Sequence, residues 1–343
     1  MAEIELSLAE IESLVERVFK SNGCDDSNTE ALVRTVVSAE RDGCISHGLF
    51  RVPGYVASLR SRKVDGKAEP QVSKKTPALI QVDGKSGFAP LAIERGIPEL
   101  ASAAKLLGIG IMTIRNSHHF AALWPEVESL ASQQLIGIAC LNYMPVVAPF
   151  GGKAPLFGTN PIAFAWPREN NTPLVFDMAT SAMAQGEVQI ADRDGLSVPL
   201  GTGLDAHGNM STNPRDILDG VLLPFGGYKG SAIALMVELL AAGATGDHFS
   251  YEAEQADNCD GGPPPGGELI IAISPEVTAG PDWSRHCEDF FTRFEAIDGT
   301  RLPGMRRHRL RDGTENRCVN DLLLERIEQL CRPVAQNDRP GLA

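Results

Sequence analysis

The sequence predicts an α/β protein, and three observations predict it. Between residues 78 and 143, strand-like and helix-like patterns alternate at a spacing that layers helices on a sheet with at least some parallel pairing. Capped amphipathic helical patterns precede this region, and two more close the chain. With 343 residues, 43% hydrophobic and 22% charged, the chain is long enough for two subdomains or one large α/β unit with a satellite.

Ser7-Leu8-Ala9-Glu10 is a capping box. Leu8, Ile11, Leu14, Val15, Val18 and Phe19 then keep helical spacing until Asn22-Gly23 stops it. Ser27 to Glu30 repeats the capping signal, and Leu32, Val36 and Ala39 line a second helix that ends at Gly43. Tyr55 to Leu59 continues as a short helix, and the polar residues 63–77 read as a loop. Ala78 to Asp83 alternates as a strand does. A helix over Phe88 to Leu107, a strand over Gly108 to Arg115, a helix over Phe120 to Gln134 and a strand over Ile136 to Tyr143 follow. Pro161 to Trp166 and Pro173 to Asp177 add two strands, residues 195–220 are rich in turns, and Gly230 to Ala242 is an apolar helix. Glu252 to Gly267 reads as a flexible loop, Glu268 to Ser274 as a strand, and Ser284 to Ala296 and Val319 to Leu330 as closing helices.

Charge and cysteine usage narrow the function. A formal charge of −13 argues against nucleic-acid binding, which needs clustered Lys and Arg to neutralise phosphates. Seven scattered cysteines without a CxxC give neither a disulfide framework nor a metal site. No apolar run spans a membrane, and Met1 to Glu5 lacks a signal-peptide pattern, so the expected compartment is the cytoplasm. The dinucleotide fingerprint GxGxxG is missing after every strand, and the Walker loop, HExxH and GxSxG are absent too.

Chemistry concentrates in short clusters. Ser46-His47-Gly48-Leu49-Phe50-Arg51 puts a hydroxyl, an imidazole and a guanidinium within six residues at a helix boundary. An imidazole such as that of His47 can titrate near neutral pH, and Arg51 can grip a carboxylate with two parallel hydrogen bonds. Asn116-Ser117-His118-His119-Phe120 follows a strand, where ligands of α/β proteins gather. Phe157-Gly158-Thr159-Asn160-Pro161 and Asp177-Met178-Ala179-Thr180-Ser181, leading to Gln185-Gly186-Glu187, supply small and hydrogen-bonding residues. Gly226-Gly227-Tyr228-Lys229-Gly230 opens a helix as a phosphate cradle would. Arg301-Leu302-Pro303-Gly304-Met305-Arg306-Arg307-His308-Arg309 carries four Arg in nine residues, a local anion site on an acidic chain.

In this order the clusters resemble the malate/L-lactate dehydrogenase-type oxidoreductases, over about residues 7 to 330. The runs Ser117 to Pro125 and Leu222 to Gly227 most resemble the branch of that family that reduces cyclic imino acids. The resemblance implies a non-Rossmann NAD(P)-binding fold with a mixed sheet and N- and C-terminal helices packed together. Residues 1–75 with 284–343 would form a helical substrate and dimer region, and 76–283 the cofactor-binding region. It implies a homodimer and NADPH as cofactor, with NADH the alternative, and no metal. Ser46, His47 and Glu187 would be catalytic, with His47 the proton donor. Arg51, Asn160, Gln185 and Gly186 would bind substrate. His119, Phe120, Ala121, Ala122, Leu123, Asp177, Met178, Ala179, Tyr228, Lys229, and Arg301, Leu302, Pro303, Gly304, Met305, Arg306 and Arg307 would hold the cofactor, the arginines on its pyrophosphate or its 2′-phosphate. The reaction implied is reduction of Δ1-piperideine-2-carboxylate to L-pipecolate and of Δ1-pyrroline-2-carboxylate to L-proline; the alternative is a malate, lactate, sulfolactate or ureidoglycolate dehydrogenase. One position departs from the pattern. The hydroxyacid enzymes usually carry Lys after the glycine that matches Gly186, and the imine reductases Asp, where this chain has Glu187. A carboxylate there favours a cationic iminium, whereas a keto acid develops negative charge and suits Lys.

Overall fold

The computed structural model describes residues 3–313 and 315–332. The parts of the expected helical region at 1–2, 314 and 333–343 lie outside the described residues.

The chain begins β1 (Glu3–Ser7), α1 (Leu8–Ser21) and α2 (Asp26–Arg41), turns twice as 3₁₀ helix at Ile45–His47 and Leu49–Arg51, and enters α3 (Val52–Ser61). Then come β2 (Gln71–Thr76), β3 (Leu79–Phe88), α4 (Ala89–Leu107), β4 (Ile109–His118), α5 (Trp124–Ala131), β5 (Ile136–Leu141), β6 (Ile162–Trp166) and β7 (Leu174–Met178). A smaller lobe carries α6 (Gln185–Asp194), β8 (Gly203–Leu204), β9 (Met210–Ser211), α7 (Pro214–Leu218) and β10 (Val221–Leu222). The chain continues as α8 (Tyr228–Glu238), which runs into a π-turn at Leu239–Gly243, then α9 (Ser250–Ala256) and β11 (Pro265–Ile273). It closes with α10 (Pro275–Ala279), α11 (Trp283–Glu295), α12 (Met305–Gly313), β12 (Asn316–Asn320) and α13 (Asp321–Leu330).

Seven strands form the main sheet in the order β2-β3-β4-β11-β5-β6-β7. Within this sheet, among the described residues, only β3 and β4 pair in parallel; β11 inserts antiparallel between β4 and β5, so the sheet is mixed. Alternation within single strands cannot show that a strand from 120 residues downstream separates β4 from β5. Ile80, Val82, Met112, Ile114 and Ile270 face α4 and α5, while Cys140 and Leu269 face Val237 and Ala241 of α8 and its π-turn. A second core joins Ile11, Val18 and Phe19 of α1, Val36 of α2 and Tyr55 of α3 to Leu324 and Ile327 of α13. Each such side chain contributes about 1.5–3 kcal/mol on burial, which holds the C-terminal helix against the N-terminal ones.

The capping box forms: Ser7 Oγ accepts from Glu10 N and the Glu10 carboxylate accepts from Ser7 N. The second helix is capped by Asp25, whose carboxylate accepts from Asn28 N, rather than by Ser27. Residues 71–76, expected as loop, are the edge strand β2, which needs no apolar face. The helix expected from Phe120 starts at Trp124, because residues 119–123 form an irregular segment with bends at Ala121 and Leu123 first. The expected loop at 252–267 is partly α9 and the start of β11, and the arginine-rich run is helical from Met305.

Candidate active site

The turn at residues 42–51 is shaped by Glu40. Its buried carboxylate accepts from Leu49 N at 2.6 Å, and burial pushes its pKa up. A Cβ on Gly48 would sit 2.0 Å from Glu40 Oε1, so only glycine lets the chain pass there. Arg317 of β12 donates to the carbonyls of Glu40 and Arg41 and ties this turn to the C-terminal segment.

On this turn Ser46 Oγ lies 3.0 Å from His47 Nδ1. Arg51 Nε donates to Ser46 O at 2.8 Å, and its Nη1 makes a long 3.4 Å contact to Gln189 on α6. The guanidinium lies 4.7 Å from the centre of the Phe120 ring and 5.3 Å from that of Phe50. Among the described residues no carboxylate pairs with it, and burial lowers its pKa. His47 is pushed down to about 3, by burial first and then by the positive charge of Arg51, with His119 nearby disfavouring a second cation, so it is neutral near pH 7. Gly186 of α6 closes the other side of Arg51.

The expected cofactor residues converge beside it. Asp177 at the end of β7 accepts from Leu123 N at 2.8 Å and Trp124 N at 3.1 Å, and so caps α5. Burial raises the Asp177 pKa against those bonds and the charge of Arg307. Arg307 lies 4.5 Å from the Trp124 ring, and its buried Nη1 has no hydrogen-bond partner. Pro303 O accepts from Val175 N at 3.4 Å, which sets the Arg301 to Gly304 segment along β7. The Trp124 ring under Arg307 also donates through Nε1 to Asp42 at 3.2 Å, which brings the arginine segment next to the start of the 42–51 turn. Tyr228 and Lys229 are exposed at the start of α8, where Gly226 and Gly227 both have positive φ and Tyr228 packs edge-on against Phe150.

Two expected residues sit elsewhere in character. Asn160 has no exposed surface; its Nδ2 donates to Glu238 at 2.7 Å and to Ala234 O at 3.1 Å, tying the segment before β6 to α8. Glu187 is exposed in the first turn of α6, without a hydrogen bond or ion pair among the described residues. Gln185 is half-buried at the first position of that helix.

Sequence reasoning missed Gln189, one turn beyond Gly186, and Tyr55, a fully buried phenol whose hydroxyl has no partner among the described residues and whose ring packs edge-on against Phe120 beside Arg51. It also missed Glu126 and Glu268, which face His119 Nε2 at 3.3 and 3.7 Å. A visible signal existed for Glu268: it is an acid heading the run Leu269-Ile270-Ile271-Ala272-Ile273. All seven cysteines are free thiols.

The elements of this site gather a guanidinium without a carboxylate partner among the described residues, a neutral imidazole beside a hydroxyl, and the orphaned Nη1 of Arg307. Residues 6–321 match the family model described as malate/L-lactate dehydrogenase. The chain belongs to that family, whose dehydrogenases and reductases imply a nicotinamide cofactor. It is 45% identical to the Δ1-pyrroline-2-carboxylate/Δ1-piperideine-2-carboxylate reductase of Pseudomonas putida over 92% of this chain and 93% of that one. It is 43% identical to the Δ1-pyrroline-2-carboxylate reductase of Ancylobacter novellus over 90% of this chain and 92% of that one. The crystal structure of Δ1-piperideine-2-carboxylate reductase from Pseudomonas syringae superposes with a TM-score of 0.90 at 43% identity, covering 95% of this chain and 99% of that one. Sulfolactate dehydrogenase from Methanocaldococcus jannaschii shares the fold at a TM-score of 0.86 and 28% identity, over 96% of each chain. Among the described residues no helix is long and apolar enough to cross a membrane.

The residues fit a nicotinamide dinucleotide in kind. The unpartnered Nη1 of Arg307 awaits an acceptor, and the positive-φ glycines before α8 leave backbone open to a phosphate.

Proposed function

We propose that this chain is an NADPH-dependent reductase of cyclic imino acids, taking Δ1-piperideine-2-carboxylate to L-pipecolate and Δ1-pyrroline-2-carboxylate to L-proline. The observation that carries the reading is Arg51, a guanidinium without a carboxylate partner, stacked on Phe120 and five residues from Ser46. The names of the similar reductases supply the substrate class.

Arg51 receives the substrate carboxylate through its free guanidinium edge, with Gln189 and Gly186 limiting where it turns. Bound reduced nicotinamide supplies the hydride. The carboxylate offsets the charge of Arg51, one cause of the low proton affinity of His47, so His47 becomes more basic when substrate binds. Ser46 holds its Nδ1 and leaves Nε2 to exchange a proton with the ring nitrogen of the substrate. Glu187, one residue past Gly186, supplies the negative charge that favours an iminium. Gln185 and Gly186 line the substrate. His119 to Leu123, Asp177 to Ala179, Tyr228-Lys229 and Arg301 to Arg307 hold the cofactor, with Arg307 Nη1 toward an anionic oxygen. We place the enzyme in the cytoplasm, as a homodimer, in lysine degradation and related amino-acid metabolism. In it, residues 1–75 with 284–343 would form the substrate and dimer region around the 76–283 cofactor region.

The test is NADPH and NADH oxidation with both cyclic imines, pyruvate and oxaloacetate. Faster turnover of either keto acid overturns the substrate class. A second reading, a 2-hydroxyacid dehydrogenase, draws on the solvent-exposed position of Glu187, which leaves the carboxylate without a fixed partner. Oxidation of malate, lactate or sulfolactate with NAD, unmatched by any imine reduction, would select it.

A further inference from the structure

Glu268 occupies an unusual place. It lies in β11 at the middle of the main sheet, in register with Ile114 on β4 and Leu141 on β5. Glu126 reaches the same point from the first turn of α5, and His119 from the segment between β4 and α5. His119 Nε2 is 3.3 Å from Glu126 Oε1 and 3.7 Å from Glu268 Oε2, and the three donor atoms lie within 4.8 Å of one another. The exposures of His119, Glu126 and Glu268 are 8, 6 and 2%. Glu126 Oε2 and both oxygens of Glu268 have no hydrogen-bond donor. The groups facing the pair are His119, Asp177 from β7 and Cys140 from β5; among the described residues no Lys or Arg pairs with either acid.

Two ionised carboxylates cannot rest together here. At this depth their repulsion is weakly screened, and their desolvation is offset by nothing but one imidazole. A proton between them removes the conflict. The O–H of one carboxyl donates to an orphaned oxygen of the other, and Glu126 Oε1 remains free to accept from His119 Nε2–H. An imidazole held through Nε2–H has an unprotonated Nδ1, a hydrogen-bond acceptor.

We infer that Glu126 and Glu268 form a proton-sharing carboxyl pair that positions His119 with Nε2–H on Glu126 and Nδ1 as an acceptor. This deepens the proposed function, since it rests on His119 flanking the cofactor. Both carboxyls fit the inference in their proton affinity: burial raises Glu126 to about 8, and burial with the neighbouring Glu126 raises Glu268 well above the ordinary range. Burial pushes His119 down, which keeps it neutral. Both acids are positioning residues that act through His119.

The pair makes folding pH-dependent in a stated direction. The folded chain keeps protons that the unfolded chain releases near the ordinary glutamate value, so the stability the pair contributes falls as pH rises from about 5 to about 8. Thermal midpoints across that window should contain this decline, set against the rise that His47 and His119 contribute, and comparison with variants isolates it. In Glu268→Gln and Glu126→Gln, where an amide replaces the shared proton as donor, the decline should flatten. Infrared spectra of the parent protein should show a protonated carboxyl at about pH 7. Glu126→Leu, which deletes the acceptor for His119, should weaken NADPH binding about tenfold or more, the usual loss when a carboxyl that orients a working imidazole is removed. An unchanged slope in both Gln variants, or no protonated carboxyl band, overturns the inference. So does a stoichiometric divalent ion in the purified protein that chelation removes, which would make the trio a metal site. A parent enzyme that reduces no imine would sink the proposed function and leave the melting and infrared readouts intact.

Discussion

A Cβ placed on Gly186 would lie 2.5 Å from Nη2 of Arg51 and 3.2 Å from Cβ of Ser46. The first turn of α6 therefore acts as a wall for the guanidinium, and only a hydrogen at position 186 lets Arg51 keep its rotamer. Gly186→Ala should push the guanidinium off its bond to Ser46 O while leaving the helix intact, since Ala is the better helix former. The expected outcome is a loss of about tenfold to a hundredfold in kcat/KM for the imino acid, carried mostly by KM, because a misplacement near 1 Å costs that much. Steady-state kinetics with a melting curve checks it. A lower melting point with unchanged KM would mean that the wall serves the fold and not the ligand.

Arg51→Met should separate binding from stability. Methionine fills similar space and keeps contact with Phe120, but offers no donor to a carboxylate. Losing a charge-assisted bidentate clamp should cost about 2–4 kcal/mol of transition-state binding, a fall of about 30-fold to 900-fold in kcat/KM. Because the guanidinium has no acidic partner in the free protein, the variant should melt no lower than the parent. Arg51→Lys should recover little, since an ammonium lacks the fork. Urea unfolding beside the kinetics decides between this clamp and a merely structural arginine.

His47 offers a pH test with a definite sign. Its folded value near 3 lies below the unfolded value, so the folded chain takes up fewer protons in acid. Its contribution to stability is present above about pH 6.5 and is lost as pH falls toward the folded value. The carboxyl pair at Glu126 and Glu268 acts in the opposite direction. NMR titration of His47 should show a neutral ring down to strongly acid pH in the free protein. Saturating L-proline, whose carboxylate would sit on Arg51, should move the transition upward. An unmoved transition would uncouple the two residues and remove the proton-timing step from the mechanism.

Local chemistry made much of this site legible. A hydroxyl, an imidazole and a guanidinium in one short turn announced themselves, because adjacency in sequence guarantees adjacency in space at that range. The order of the later clusters carried the family, and the family carried the fold, which strand and helix periodicity alone had left short of its mixed sheet. What stayed hidden depended on long-range insertion. Glu268 reaches His119 only because β11 enters between β4 and β5, and no local pattern encodes that. Gln189 was invisible for a milder reason: one helical turn past Gly186, it faces Arg51 by helix geometry that becomes specific only once α6 is placed. Asn160 divides its amide between two surroundings: Nδ2 ties the segment before β6 to α8, while the buried Oδ1 has no partner among the described residues.

Two positions past the arginine-rich run, a residue outside the proposed cofactor set should control it. Arg311 of α12 donates to Asp42 at 3.1 and 2.6 Å and to Glu128 at 2.7 and 2.8 Å, and Trp124 Nε1 adds a 3.2 Å bond to Asp42. Burial pushes the Asp42 pKa up, but the bonds from Arg311 and Arg41 more than offset this and hold it below the usual range. Arg311 thus pins α12 to the end of α2 and to α5, and α12 carries Arg306 and Arg307. Arg311→Met should leave Asp42, whose side chain has no exposed surface, with only Arg41 and Trp124 as partners, and cost about 2 kcal/mol in urea unfolding. The stability that Asp42 contributes in the parent is lost as pH falls through its depressed folded value, so the difference between parent and variant should shrink in acid. Cofactor affinity should fall about tenfold, because Arg307 Nη1 keeps its place over Trp124 only while the helix behind it is held. Fluorescence titration with NADPH measures it. Unchanged affinity in a destabilised variant would show that Arg307 is positioned by Trp124 alone, and that the network around Asp42 serves only the fold.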